Sequence, residues 1–154
     1  MRCWRLCQAR YAAAAFSGDG ARRYSGRWHW PGTPVIYTAT SLALAALEIL
    51  AHFDHDLVPA PFVAFAVDIP PEVRLQRVTA KLLPSNWRAL PAPDATKDLG
   101  AKWLRAGTTV GLLVPSALVP QERNVLFNPQ HQDFARLQIG PPEPFTFDPR
   151  LRSA

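Results

Sequence analysis

Three side chains stand out by type and setting. Arg27 lies between Gly26 and Trp28, and a glycine-flanked turn lets backbone approach a ligand closely while the guanidinium fork meets an anion. Glu48 sits among Leu44, Leu47 and Ile49 in an apolar segment of helical spacing; a carboxylate there either faces solvent or points into a cleft. Ser116 follows Val114-Pro115, where a sharp turn can gather its hydroxyl and neighbouring N–H groups around an oxyanion or phosphate. It makes a poor hydrolase nucleophile, because the chain has neither a G-x-S-x-G elbow nor a clear His/Asp partner set. Glu48, His52 and His55 recur at i, i+4 and i+7, a spacing that can ligate a metal. His55, however, lies between Asp54 and Asp56 at the end of the segment, and histidines at helix ends also serve the last carbonyls. Asn124 and Asn128 bracket an apolar run and read as turn and strand-end hydrogen bonding, and His131 reads as a loop residue. Phosphate-loop and dinucleotide-fingerprint glycine patterns are absent.

The elements that must position these groups follow from local pattern. Residues 3–10 are compatible with an opening strand, and Phe16–Trp30 reads as a Gly-, Arg- and Trp-rich loop. The β-branched and aromatic run Thr33–Ala39 predicts a strand. Thr40 or Ser41 then offers an N-cap for a helix over Leu42–Phe53. Alternation over Phe62–Ile69 predicts a strand ended by Pro70-Pro71. A loop around Trp87 precedes a helix over Lys97–Arg105 capped by Thr96, and Thr109–Val114 is a strand stopped by Pro115. Asn124–Phe127, Ala135–Ile139 and Pro144–Phe147 read as short later strands. With few full crossover helices between them, these strands predict an α+β fold with a mostly antiparallel β core and flanking helices.

Composition bounds the function classes. At 154 residues and 48% hydrophobic the chain is expected to form one domain over residues 1–154 with a buried core. Sixteen prolines are scattered through apolar segments, so they punctuate elements and do not mark a disordered linker. No apolar run approaches the about 20 residues of a bilayer span, and Ala12–Phe16 is shorter than the about 7–15 residues of a secretory h-region; a cytoplasmic protein without a membrane partner is expected. Cys3 and Cys7 are too close in sequence for a disulfide framework and lack the second pair of a structural zinc site. The net charge of +5 is concentrated in residues 1–27, which hold six arginines and one acid. Either this is a solvated basic face or something anionic meets it. The aromatics are not interleaved with the basic cluster, so direct nucleic-acid binding is not expected.

The ordered segments as a whole resemble one family. They are Trp4-Arg5, Phe16, GDGAR at Gly18–Arg22, GRW at Gly26–Trp28, the VIYTA strand, SLALAALEILAH at Ser41–His52, LPSNW at Leu83–Trp87, Gly100–Leu104, VPSA, ERNVLFNPQH at Glu122–His131 and the terminal PFTFDPRL. This series resembles the RES domain, the toxin half of bacterial RES–Xre toxin–antitoxin pairs, with His29 standing where the family commonly has Asn. The family is named for an Arg, a Glu and a Ser, which here match Arg27, Glu48 and Ser116. The resemblance implies an ADP-ribosyltransferase-like fold and an enzyme that consumes NAD+ by hydrolysis, phosphorolysis or ADP-ribosyl transfer to protein, with no cofactor beyond NAD+ as substrate and no metal. On it, Arg27 clamps the pyrophosphate with Arg5 as a second phosphate candidate, and Tyr37 stacks on nicotinamide. Glu48 steadies the sugar cation, Ser116 helps place the phosphates or ribose, and Asn124 supports the site. It also implies neutralisation by an Xre-type helix-turn-helix antitoxin. A metal-dependent hydrolase built on Glu48, His52 and His55 is the remote alternative.

Overall fold

The computed structural model describes residues 1–52 and 60–151. Among these, eight strands form one sheet: β1 (Arg2–Gln8), β2 (Ile36–Ala39), β3 (Phe62–Asp68), β4 (Leu75–Arg77), β5 (Gly111–Pro115), β6 (Arg123–Phe127), β7 (Gln138–Ile139) and β8 (Glu143–Phe145). The order is β4-β5-β6-β2-β1-β3-β7, with β8 also on β3. Every pair is antiparallel except β4 with β5. Three helices accompany the sheet: α1 (Asp19–Arg23), α2 (Leu42–His52) and α3 (Asp94–Ala106). The architecture is α+β, as the alternating runs predict. No helix among the described residues is long and apolar enough to cross a membrane.

Period-2 alternation divides the core. Leu113, Val125 and Phe127 join Cys3, Ile36 and Val67 on one face of the curled sheet. On the other face, α2 buries Leu44 and Ala45 against Leu6, Ala39, Phe62 and Ala64. There too, α3 buries Trp103 against Trp28, Leu112, Val114 and Leu126. Gly100 makes the α3 contact possible, because a Cβ there would fall 1.6 Å from the Trp28 carbonyl oxygen. β1 and β2 share a single register pair, Trp4 with Ala39, whereas β1 and β3 pair along their whole length. The sheet therefore parts between β1 and β2, on the face where the two helices stand apart.

Several local expectations change. The segment 16–30 is not all loop, since α1 occupies Asp19–Arg23. The strand expected from Thr33 starts at Ile36, because Pro34 has no N–H for a ladder. Thr96 does not cap α3. The helix starts three residues before the expected Lys97, at Asp94, and the Thr96 hydroxyl donates to the Pro93 carbonyl at 2.8 Å. The strand expected over Ala135–Ile139 shrinks to Gln138–Ile139. His131 caps a 3-10 turn over Gln132–Arg136 by accepting the Asp133 N–H. β4 carries no clear sequence alternation and was not expected. Ser41 does cap α2, accepting the Leu44 N–H at 3.0 Å.

Candidate active site

Strand alternation and helix periodicity converge on one cleft. Ala39 pairs with Asn124 and Tyr37 with Leu126, while Val114 pairs with Asn124, so Tyr37, Asn124 and Ser116 all belong to the helix-bearing face. Ala45, Glu48, Ile49 and His52 form the stripe of α2 that meets them. Between these elements and the Arg27 turn lies a cleft of about 890 Å³, within the about 300–1,000 Å³ of ordinary small-molecule sites.

Glu48 faces this cleft, not bulk solvent. Its Oε1 accepts hydrogen bonds from the Ser116 hydroxyl at 2.9 Å and the Asn124 amide at 2.7 Å. Both donors thus bond to the same oxygen. Ser116 is fully buried, and its Oγ also accepts the N–H groups of Leu118 and Val119, both at 3.1 Å. As placed, its hydroxyl is committed to the carboxylate and to its own turn. Asn124, also buried, does line the cleft.

Arg27 lines the opposite side, and its Nη1 donates to the carbonyls of Trp87 and Ala89. Those bonds tie the Arg27 turn to the proline-rich loop before α3. Burial opposes charge on this guanidinium while the Glu48 carboxylate favours it, so the two groups are within electrostatic reach across the cleft. Arg5 projects from β1 where the sheet parts. Its Nη1 donates to the Tyr37 carbonyl at 2.9 Å, and its buried Nε bonds to nothing among the described residues. The Tyr37 ring lines the cleft, and burial pushes its phenol pKa up, so the hydroxyl stays protonated.

The charge around the cleft differs from the sequence reading. Of the six N-terminal arginines only Arg5 and Arg27 line it; Arg2 pairs with Asp68 and Arg22 with Asp19. The remaining cations, Arg88 and Lys97, come from the middle of the chain and were missed. Arg88 donates to the Ala117 carbonyl at 2.9 Å, and Lys97 lies 4.5 Å above the Trp30 ring and pairs with Asp94. Their one sequence signal was proximity to the tryptophan loop. Among the described lining residues, four cations against one carboxylate suit the cleft to an anionic ligand.

For the metal alternative, His52 lines the cleft beside Glu48, and His55 lies outside the described residues. Among the described residues no group of three or more His, Cys, Asp or Glu side chains gathers as a metal set.

A family model described as the RES domain matches residues 2–148. The chain belongs to the RES domain family. This RES domain is 40% identical to the Toxin Res of Yersinia enterocolitica over 99% of this chain and 100% of that protein. It is 36% identical to the Prs ADP-ribosylating toxin of a Sphingobium strain, over 96% and 94% of the two chains. Its fold matches a chain of the M. tuberculosis MbcT-MbcA toxin-antitoxin complex with a TM-score of 0.78 at 21% identity, covering 94% of this chain and 84% of that one.

Proposed function

We propose that this RES domain is a toxin that cleaves the nicotinamide–ribose bond of NAD+ in the cytoplasm. The observation that carries the reading is Glu48, the one carboxylate among the described lining residues, held through one oxygen by Ser116 and Asn124 in a cleft whose other charged lining residues, among those described, are cationic. Ordinary glycosidases use two carboxyl groups because the leaving oxygen must be protonated. Nicotinamide is bound as a cationic pyridinium and departs neutral, so no general acid is needed. One carboxylate near the anomeric carbon stabilises the developing oxocarbenium charge, and in this reading the second Glu48 oxygen meets a ribose hydroxyl. Arg5 and Arg27 hold the pyrophosphate. The Tyr37 ring offers its face to the pyridinium. Ser116 acts through Glu48 instead of touching substrate.

The acceptor is water or inorganic phosphate in this reading. A second reading, transfer of ADP-ribose to a protein, is favoured by the Sphingobium relative named as an ADP-ribosylating toxin. The similarity to a chain from a toxin-antitoxin complex supports a neutralising protein partner, here an Xre-type helix-turn-helix antitoxin covering the cleft. Incubation of pure protein with NAD+, with and without phosphate, tests the assignment through its products: free ADP-ribose, its phosphorylated form, or an adduct on an added lysate protein. Glu48→Gln keeps an oxygen for Ser116 and Asn124 but loses the charge, so nicotinamide release should fall about 10²–10³-fold with the circular dichroism spectrum unchanged. Release at the parent rate would remove Glu48 from the mechanism.

A further inference from the structure

Behind the cleft wall, a buried histidine that touches no cleft volume is wired to the one aromatic ring proposed to meet the substrate. His29 lies in the segment between α1 and β2 and is buried. Its Nε2 is 2.8 Å from the Tyr24 carbonyl oxygen, which can only accept, so Nε2 carries the hydrogen. Burial lowers the His29 pKa, so the ring is neutral near pH 7 and Nδ1 is a bare lone pair. Nδ1 lies 2.7 Å from the Tyr37 hydroxyl and accepts its hydrogen. The Tyr37 oxygen in turn accepts the Trp28 N–H at 3.3 Å.

The surroundings leave this chain little play. A Cβ on Gly26 would fall 2.6 Å from His29 Cε1 and 2.7 Å from the Tyr37 oxygen, and Gly26 N–H donates to the His29 carbonyl. Trp28 is itself pinned by the close approach of Gly100. The Tyr37 hydroxyl therefore spends its hydrogen on His29 and presents no donor to the cleft that Tyr37 lines.

We propose that His29 is a positioning residue for NAD+ cleavage, acting through Tyr37: the Tyr24 carbonyl–His29–Tyr37–Trp28 N–H chain holds the Tyr37 ring in the plane that receives the pyridinium. The assignment rests on the NAD+ reading above. A ring held only by packing rotates about its side-chain bonds, and the face-on contact with a cation is lost with that rotation.

Four measurements test it. In the parent protein, nitrogen-15 spectra of labelled histidine should show His29 as the tautomer with hydrogen on Nε2; hydrogen on Nδ1 would overturn the chain. His29→Leu should lower kcat/KM for NAD+ about tenfold, the loss of one oriented hydrogen bond. His29→Asn, whose Oδ1 stands near the Nδ1 position, should restore most of it. In a Tyr37→Phe background, His29→Leu should cost nothing further, because the bond it removes is already gone. Additive losses in that double variant, or an active His29→Leu at the parent rate, would reduce His29 to packing. If His29→Leu does not fold, the tautomer and His29→Asn still decide: Asn costing as much as a full loss of the Tyr37→Phe bond counts against the proposal. A parent protein that leaves NAD+ intact overturns the cleavage reading and this assignment together, whereas an active parent indifferent to His29 overturns this one alone.

Discussion

Ser116 illustrates how one hydroxyl can carry both a fold and a site. It donates to Glu48 and accepts two backbone N–H groups from its own turn, and it is itself fully buried. Ser116→Ala strands those two donors, so stability should drop by about 1–3 kcal/mol, read as a shift in the urea midpoint. Turnover should fall as well, because Asn124 alone then orients the carboxylate. An unchanged midpoint would mean that the turn does not depend on this hydroxyl. His29 makes a separate prediction for pH. Burial lowers its folded pKa below the ordinary 6.5, with the Tyr24 and Ala21 carbonyls pulling the other way. The unfolded chain therefore binds a proton that the folded chain refuses. Stability should be full above about pH 6.5 and decline as the pH falls from there towards the folded value. Melting temperatures between pH 7.5 and 5 check the sign, and His29→Asn should flatten that limb.

Among the elements, α2 and α3 both contribute side chains to the lining of the cleft. α2 is anchored at its start, where Ser41 accepts the Leu44 N–H and donates to Glu122 at 2.7 Å. This couples the helix that bears Glu48 to the β5–β6 connection that bears Ser116. α3 is set by Gly100, where helix backbone meets the Trp28 carbonyl. Gly100→Ala would raise helix propensity in isolation, yet here the methyl collides with backbone that cannot rotate away. We expect destabilisation at or above the upper end of the about 1–3 kcal/mol of ordinary overpacking, measured by thermal melting. A neutral or stabilising outcome would mean that α3 does not sit against Trp28. The starts of α3 and β2 show why element boundaries were the weaker part of the sequence reading. Thr96 is a good cap by type, but Pro93 and Asp94 form the first turn ahead of it.

For the molecule as a whole, the parted sheet is the organising feature. A single β1–β2 register pair opens a gap that Arg5 fills from one side and the α2 stripe borders from the other. Chemistry in that cleft, as proposed, uses only side chains and the charge of its substrate. Nicotinamide release should therefore be unchanged after extensive dialysis against a chelator. Loss of activity on chelation, restored by zinc, would favour the hydrolase built on Glu48, His52 and His55. The apolar rim, with Leu90 84% and Leu118 42% exposed, borders the same opening.

Much of this protein could be read from short-range pattern. Apolar spacing located α2 and β3, and Thr40 or Ser41 before Leu42 marked the helix start, because caps and periodicity are written within a few residues. The ordered motifs from Trp4 to the terminal PFTFDPRL pointed to the RES family before any coordinates. The direction of Glu48 was different. Local pattern left it between solvent and cleft, and only pairing of β5, β6 and β2, residues far apart in sequence, brought Ser116 and Asn124 to its side. The same holds for charge: the basic N-terminus was visible as composition, but ion pairs and strand direction decided that only Arg5 and Arg27 from it reach the cleft, joined there by Arg88 and Lys97. Local propensity acts through neighbours along the chain, whereas a site is made of neighbours in space, and the hydrogen bonds that commit its atoms exist only once the sheet has closed around them.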